Sequence, residues 1–532
     1  MNEERRTQNA ELRSVSKFFI LRSALCVLVS LNAFAQVRAK HAALSTASPL
    51  ATRAGLATLQ RGGTAADAAV TVAFTLAVIH PQGGNLGGGG FLVYYDASTK
   101  GIWTLDFREL SPRATTRKLT LDGVKTAATP GTVAGLNALH EKFGARPWKE
   151  LLAPAIALAK DGPRQDAELA RDIETAKRER KLEIPATLPP PELAWTLQRL
   201  ADEGARDFYE GAVAEKLAET VRAAGGILGH RDLREYAPVW RAPIKLRYGP
   251  YEIYTVAPPS GGGIVIGEVL NMLAKDDLAQ LGFQTTRAVH LLAEAQRRAQ
   301  VDRQRYTGDP LGARIPLGEL LSQKRAELWR ASINIARATA TSSLTEPASL
   351  NAEGEHTTHF TIADAQGNVV SLTTGLGEQF GNGFLVAPLG FFLNDAMTAF
   401  TTGANALDPL KRPASPMTPV IVLRDGKPFL ALGTRGGSAI PTTILQVFLN
   451  VVVYGKSLTD AVAAARYHHG AVPESIAYER ERSSRPVVEA LNEMGHGMEG
   501  RVAIGDVHAI LFENGRLTAV SDPRRGGAAG GY

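Results

Sequence analysis

The sequence predicts a layered α/β fold, in which helices cover sheets that are built largely from hairpins. Helical segments occur in the first half of the chain and beyond its midpoint, for example Thr64 to Ile79 and Thr286 to Val301. Short strands flanked by glycine and proline turns lie among them, such as Phe91 to Asp96. After residue 357 the pattern changes to strand pairs joined by short turns. These observations indicate helices throughout the chain and a strand-rich second part.

The second part of the chain predicts three hairpins and one long helix. The hairpin turns are Gln366-Gly367, Asp425-Gly426 and Asn514-Gly515, and each is flanked by β-branched and aromatic residues. The helix begins near Ser438 and runs through the sequence IPTTILQVFLNVVVYG. In the first part, the charged and then proline-rich stretch from Arg171 to Pro191 is expected to be an exposed connection.

The first 35 residues have the composition of a secretory signal peptide. A basic start precedes a largely apolar run that ends in Ala33-Phe34-Ala35, which fits a small-x-small cleavage site. An uncleaved membrane anchor is the alternative, but the apolar run after Arg22 is short for a span of about 20 residues. We therefore expect residues 1–35 to be removed and the mature protein to be periplasmic or secreted.

Composition excludes several other classes of function. The only cysteine, Cys26, lies in the expected signal peptide, so the mature chain has no thiol for a disulfide, a nucleophile or a metal. A formal charge of +6 over 532 residues, without a basic stripe interleaved with aromatic residues, disfavours nucleic-acid binding. The side chains of the adjacent pair His468-His469 would point in different directions on a helix or a strand, so the pair does not indicate a metal site. We expect no metal and no cofactor, and one globular unit because no linker or internal repeat divides the chain.

The run Thr357-Thr358-His359 places a threonine pair where a loop becomes a strand, in the middle of the chain. A threonine freed at its N-terminus carries a hydroxyl nucleophile and an α-amine with a pKa of about 7.7 to 8, which acts as its own general base. No such base exists while Thr357 is bonded to His356. Threonine also favours strands for structural reasons alone, so the pair by itself leaves both interpretations open.

Ten sequence blocks from Ala43 to Tyr532 resemble the γ-glutamyltransferase (glutathione hydrolase) family, and they follow the family's order. The blocks are RGGTAADAAV, HPQGGNLGGGGF, LDFRELSP, TPGTVAGL, PPSGGG, EHTTHF, KRPASPMTP, RGGSAI, ARYHH and the terminal DPRRGGAAGGY. The resemblance implies the four-layer αββα sandwich of the N-terminal nucleophile hydrolases. It also implies self-cleavage between His356 and Thr357. A large subunit of residues 36–356 and a small, catalytic subunit of residues 357–532 would then pair as a heterodimer within one globular unit.

The resemblance also implies the catalytic residues. Thr357 is the expected nucleophile, and Gly436 and Gly437, directly before the helix at Ser438, are the expected donors to the oxyanion. A Gly-Gly pair at an ordinary strand-to-helix turn is the alternative interpretation.

A substrate carboxylate is expected to bind Arg108 and Ser415. Arg108 stands in LDFRE, and a planar guanidinium suits a carboxylate because it binds two oxygens at once. Its alternative is a surface ion pair with Asp106 or Glu109. Ser415 matches the first of two family serines, whereas the second is Pro416 in this chain.

Hairpin geometry indicates which residues of the neighbouring strand approach the nucleophile. If the Gln366-Gly367 turn has two residues, paired positions sum to about 733, which places Thr357 opposite residues near Leu376. Residues 373–377 then line the nucleophile, and Thr373 is expected to contact the substrate.

Four further positions depart from the family pattern. Gly375 and Gly377 stand where the family has threonine and asparagine, and Ala396 and Ala399 replace an acidic or amide residue and an aspartate. In the family these groups hold the α-ammonium of a γ-glutamyl substrate. Their loss predicts weaker recognition by about 1 to 3 kcal/mol per missing hydrogen bond. The segment from Thr401 to Leu410 is also shorter than the family's lid loop, which implies a more open pocket.

The sequence therefore predicts a self-processing enzyme that acts on γ-glutamyl amides and passes the acyl group to water or to an amino acid or dipeptide. Two alternatives stay open. One is an acylase of the same fold that hydrolyses des-amino, glutaryl-like amides. The other is a non-catalytic protein that binds small acidic peptides.

Overall fold

The computed structural model describes residues 35–162, 165–344 and 356–532. The expected signal peptide, except Ala35, and the segment directly before His356 lie outside the described residues. Within these three ranges, no helix combines the length and the apolar character needed to cross a membrane.

Two seven-stranded sheets dominate the described chain. The first sheet contains, in spatial order, β1 (Gln36–Ala39), β18 (Arg516–Ser521), β17 (Asp506–Glu513), β13 (Lys427–Arg435), β12 (Val420–Arg424), β7 (Tyr251–Thr255) and β6 (Ile244–Tyr248). The second contains β19 (Ala528–Gly531), β2 (Ala43–Thr46), β8 (His356–Ala363), β9 (Val369–Gly377), β3 (Gly89–Asp96), β4 (Gly101–Phe107) and β5 (Val239–Arg241). All neighbouring strands in both sheets are antiparallel.

Two small sheets complete the strands of the described residues. One is the pair β10 (Leu385–Val386) and β11 (Phe391–Phe392). The other contains β14 (Tyr467–His468), β15 (Ile476–Glu479) and β16 (Met498–Arg501), and β15 and β16 are parallel.

Helices occur mainly in the part of the chain before residue 344. They are α1 (Pro49–Gln60), α2 (Ala65–Ile79), α3 (Thr132–Phe143), α4 (Trp148–Asp161), α5 (Ala167–Arg180), α6 (Glu192–Glu203), α7 (Asp207–Glu210), α8 (Ala212–Ala223), α9 (His230–Arg234), α10 (Gly262–Met272), α11 (Leu278–Leu281), α12 (Thr286–Tyr306), α13 (Leu317–Leu320) and α14 (Gln323–Ala331). Three more follow the second hairpin: α15 (Ala439–Val452), α16 (Leu458–Ala463) and α17 (Arg485–Glu493).

The two sheets stack face to face, and helices cover both outer faces. Residues such as Phe91, Val93, Ile421 and Ile510 are fully buried between the sheets. Helices α1 to α4 pack on the second sheet, and α10, α12 and α15 pack on the first. Each sheet thus has two apolar faces, as the central layers of a four-layer structure require. The predicted αββα sandwich is confirmed.

Local sequence signals account well for the ends of several elements. Helix α2 begins after Thr64, whose side chain accepts a hydrogen bond from Asp67, while Asp67 accepts one from the Thr64 backbone. This reciprocal cap fixes the helix start. Helix α12 begins at the expected Thr286 but continues to Tyr306, beyond the expected Val301. All three predicted hairpins are present as β8–β9, β12–β13 and β17–β18.

The expected exposed connection from Arg171 to Pro191 is wrong in its first half. Residues up to Arg180 belong to α5, where Asp166 caps the first turn. Leu169 and Ile173 lie on one side of this helix and pack with Leu376 and Phe380 near the end of β9. Most of the charged residues are exposed, although Glu168 and Asp172 are buried on the apolar side, so the high charge concealed the amphipathic pattern.

The register of the β8–β9 hairpin is one residue away from the central expectation. The loop is longer than two residues, because Ala363 pairs with Val369 and Asp364 accepts backbone hydrogen bonds from Gln366 and Asn368. Thr357 therefore lies opposite Gly375, within the stated range around Leu376.

Candidate active site

The beginning of β8 and the end of β13 lie at the same edge of the sandwich. Ser371, which pairs with Thr361, donates a side-chain hydrogen bond to the carbonyl of Leu432 on β13. His359 lies nearer the start of β8, and its ring packs against Gly433, which lies nearer the end of β13. The direction of these contacts brings Thr357 toward the Gly436-Gly437 pair.

Thr357 is buried at the head of β8 and faces a cavity of about 250 Å³. Its hydroxyl has no hydrogen-bond partner among the described residues. A buried hydroxyl without a partner is energetically unfavourable unless a ligand or a reaction uses it. The cavity is the space that such a ligand would fill.

Arg108 and Ser415 line this cavity together with Thr357. Arg108 is only 4% exposed, so it is not the surface residue of the alternative interpretation, although it does form a 2.6 Å ion pair with Glu109. Its Nε has no described partner. The Ser415 hydroxyl accepts a hydrogen bond from the backbone of Met417 and lies on the same wall as Pro416. A guanidinium and a hydroxyl therefore line the same cavity as Thr357.

Thr373 does not line the cavity, contrary to expectation. It pairs with His359, two residues further along β8 than Thr357, and its hydroxyl lies 2.9 Å from His359 Nδ1. His359 is also hydrogen-bonded to Thr361, and burial together with the neighbouring His508 lowers its pKa far below the usual value. Thr373 and His359 thus form a hydrogen-bonded pair two residues along the sheet from Thr357.

Gly436 and Gly437 adopt backbone conformations that favour glycine, with φ of +125° and +54°. Neither N–H donates to another residue in the described ranges, whereas the Gly436 carbonyl accepts from Ala439 at the start of α15. Two free N–H groups at this edge are suited to stabilise an oxyanion. Gly436 also lines a second cavity of about 760 Å³.

A buried carboxyl group stands where the ammonium ligands of the family are missing. Gly377, Ala396 and Ala399 line the first cavity, and so do Asp395 and Glu378. Asp395 accepts two long hydrogen bonds of 3.3 Å from the Glu378 backbone. Burial, and then the charge of Glu378, raises the pKa of Asp395 to about 7.

Gly377 makes room for this carboxyl group. A Cβ atom at residue 377 would lie only 1.7 Å from Asp395 Oδ1, and its φ of +96° also disfavours other residues. Gly377 is predicted from the sequence to be a lost ligand, whereas Asp395, which directly follows Asn394, is not among the predicted site residues. An aspartate beside two family departures was the available signal.

Two further groups near Thr357 are not among the site residues predicted from the sequence. Arg303, at the end of α12, lines the first cavity as a second cation. His80 is buried, and its Nε2 has no described partner. A Cβ atom on Gly83 would lie 2.5 Å from His80 Nε2 and 3.4 Å from the Thr357 carbonyl oxygen, so both groups border one small space. Burial, more than any other cause, lowers the pKa of His80.

The described residues contain no cluster of three or more His, Cys, Asp and Glu suited to hold a metal ion. The His468-His469 pair instead makes separate hydrogen bonds: His468 to Ser438 and Thr442, and His469 with Arg297.

Known proteins resemble this chain over most of its length. The family profile described as gamma-glutamyltranspeptidase matches residues 51–532. The glutathione hydrolase proenzyme of Escherichia coli (strain K12) is 35% identical over 536 residues, covering 93% of this chain and 92% of that protein. The glutathione hydrolase proenzyme of Pseudomonas aeruginosa is 37% identical over 512 residues, covering 88% and 90%. The crystal structure of cephalosporin acylase from Bacillus halodurans matches with a TM-score of 0.84 and 25% identity, covering 93% of this chain and 97% of that one.

Proposed function

The chain belongs to the gamma-glutamyltranspeptidase family, and from this premise we propose that it is a self-processing enzyme that hydrolyses or transfers γ-glutamyl amides through a threonyl acyl-enzyme. Membership places the chain among enzymes, so the non-catalytic binder of acidic peptides is not retained.

The reaction begins with a freed Thr357. Hydrolysis of the His356–Thr357 bond exposes the α-amine, which takes the hydroxyl proton as the oxygen attacks the amide carbonyl. The N–H groups of Gly436 and Gly437 stabilise the charge on the carbonyl oxygen. The protonated α-amine then gives its proton to the leaving amine as the C–N bond breaks, which leaves an ester on Thr357. Water, an amino acid or a dipeptide attacks this ester and releases the acyl group with the hydroxyl restored.

The residues that line the first cavity support an acyl donor that carries a carboxylate and an ammonium group on the same carbon atom. The guanidinium of Arg108 and the hydroxyl of Ser415 would bind the α-carboxylate. Asp395, with Glu378 beside it, would bind the α-ammonium in place of the missing family ligands. The presence of Asp395 in the space left by Gly377 is the observation on which this proposal depends.

An acylase for des-amino, glutaryl-like amides is the second candidate. Ala396 and Ala399 contribute no polar group to the cavity, and one protein of similar structure is named a cephalosporin acylase. A glutaryl group would, however, put a methylene beside Asp395 and leave this buried carboxyl group without a partner. Sites with such stranded polar groups reject the analogue that lacks the matching one.

One assay separates the two candidates. The purified protein is given γ-glutamyl-4-nitroanilide and glutaryl-4-nitroanilide under the same conditions, and kcat/KM is measured for each. We expect kcat/KM to be at least about 10² higher for the γ-glutamyl compound, because only this compound has the ammonium group that pairs with the Asp395 carboxyl group. The missing family ligands taken alone would predict weaker recognition of the γ-glutamyl group. Equal rates, or faster glutaryl release, would favour the acylase.

We also propose that residues 1–35 direct export and that residues 36–356 and 357–532 stay paired after cleavage. Strand β8, which would begin the small subunit, is hydrogen-bonded to β2, and β9 to β3, both of the large subunit. Dissociation would break the middle of a buried sheet. N-terminal sequencing of the periplasmic fraction should give two sequences, starting at Gln36 and at Thr357. A single intact chain that is fully active would contradict this processing.

A further inference from the structure

The second cavity is lined mostly by cations. Its volume is about 760 Å³, and it opens between α5, the β14–β15–β16 sheet and the C-terminal segment. Five arginines line it, namely Arg171, Arg480, Arg501, Arg524 and Arg525, whereas Glu499 is the single acidic residue in the lining given by the described chain.

Two of these guanidiniums have no counter-ion among the residues that the structure describes. Arg524 is neutralised by Glu479 and Asp522, and Arg501 forms a 2.8 Å pair with Glu499. Arg525 lies 3.5 Å from Glu168, which also binds Arg435. Among the described residues, by contrast, no hydrogen bond or ion pair holds the side chains of Arg171 and Arg480.

The fold provides a specific place for Arg480. Its side chain lies across Gly500 on the adjacent strand β16, where a Cβ atom would be 2.4 Å from Arg480 Nε and 2.6 Å from its Cγ. Any other residue at position 500 would push the arginine away. An exposed arginine that serves only solubility has no need of such a space.

The second cavity adjoins the reacting groups. Gly436, one of the two proposed oxyanion donors, is part of its lining. Arg303 lines the first cavity, and His468 lines the second. Burial is the main cause that lowers the pKa of His468 to about 3, and the charge of Arg303 is the next cause. An amide whose acyl group fills the first cavity and whose carbonyl reaches Gly436 therefore directs its amine half into the arginine-rich space.

We propose that this second cavity binds carboxylates on the amine half of the reaction, both on the leaving amine of the donor and on an accepting amino acid or dipeptide. The inference rests on the proposed function, because it assigns an amine side to a γ-glutamyl amide. It goes further in naming anionic amines as the preferred class and Arg171 and Arg480 as the residues that select them.

The test compares two donors that share the acyl group and differ by one carboxylate, γ-glutamyl-4-nitroanilide and γ-glutamyl-3-carboxy-4-nitroanilide. The wild type should prefer the carboxylated donor by about tenfold at low ionic strength, and this preference should fall as salt screens the exposed charges. In the double variant R171Q/R480Q the preference should drop to about twofold. The kcat/KM for γ-glutamyl-4-nitroanilide, whose leaving amine has no carboxylate, should stay nearly unchanged. R485Q is the matched control, since Arg485 is an exposed arginine on α17 paired with Glu489.

A binding measurement separates this inference from the proposed function. Calorimetric titration with the dipeptide Glu-Glu should give an affinity that R171Q/R480Q lowers by about tenfold and R485Q leaves unchanged. Failure of both γ-glutamyl anilides to react would overturn the proposed function, while the titration would still report on the arginines. Equal use of both anilides by the wild type, or an unchanged dipeptide affinity in the double variant, would overturn the second site.

Discussion

The two cavities proposed to bind the two halves of the substrate differ in how deeply their charged groups are buried. In the first, the charged groups are buried: Arg108 is 4% exposed and Asp395 is 6% exposed. In the second, Arg171 and Arg480 are exposed to solvent at the rim of a cavity about three times larger. Buried partners form strong, directional pairs that are strongly unfavourable when broken, whereas exposed charges contribute modestly and are screened by salt. Substitutions on the acyl side should therefore have larger effects than those on the amine side.

Removing the nucleophile should have the largest effect and should abolish function on both sides. Thr357→Ala should remain a single chain without measurable activity, because it lacks both the hydroxyl and the amine that cleavage would free. Gel electrophoresis and the anilide assay provide the readout. Thr358→Ala is the matched control: it removes the neighbouring hydroxyl, which faces the opposite side of β8, and should still be cleaved. Activity in an uncleaved Thr357→Ala protein would disprove the mechanism.

Arg108→Ala should have the next largest effect. Loss of a charge-assisted and bidentate contact should weaken transition-state stabilisation, as measured by kcat/KM for γ-glutamyl anilides, by about 2 to 4 kcal/mol. Cleavage of the His356–Thr357 bond should still proceed. Arg108→Lys keeps the charge beside the buried Glu109 but loses the fork, and should recover only part of the rate.

Thermal unfolding of both Arg108 variants separates a binding role from a structural one. If Arg108→Lys matches the wild type in kcat/KM, the residue serves only to neutralise Glu109.

Asp395→Asn should change substrate preference rather than overall rate. An amide keeps the shape but removes the charge that would pair with an ammonium, at about 1.5 to 3 kcal/mol. The ratio of kcat/KM for the γ-glutamyl and glutaryl anilides should fall by about 10- to 100-fold, mainly through the γ-glutamyl KM. An unchanged ratio would show that another group recognises the ammonium.

The pH dependence of Asp395 should be the smallest of these effects. Its folded pKa of about 7 lies above the ordinary value of 3.8, so the protonated form stabilises the fold at low pH. This stability is lost as pH rises through about 7. The KM for γ-glutamyl anilide should fall over the same interval, because only the ionised carboxyl pairs with an ammonium. Asp395→Asn should remove both trends, and a pH-independent difference in melting temperature would contradict this assignment.

Local signals made much of the fold predictable. The Thr64 cap, the start of α12 at Thr286 and the three hairpin turns are set by residues close in sequence, so short patterns identify them. The charged surface of α5 concealed its apolar side, and the long Asp364 to Asn368 loop shifted the strand register by one residue.

The candidate site was predictable only where it follows the family's motifs. Thr357, Arg108, Ser415 and the glycine pair lie at the same edge of the sandwich or around the same cavity. Asp395 stands beside two family departures, which was a signal in the sequence, but the space that Gly377 leaves for its carboxyl group is seen only in the fold. Arg303 and the second cavity depend on packing between elements that are far apart in sequence.

The contact between Gly377 and Asp395 also determines the order in which substitutions are tolerated. Asparagine at position 377, as the family has it, would overlap the Asp395 carboxyl group, so this change made first should impair the protein. The same change made after Asp395 has been replaced by a smaller residue avoids this overlap, and only the strain from the φ of +96° remains. The two positions are thus expected to be epistatic, and changing residue 395 before residue 377 is the less unfavourable order.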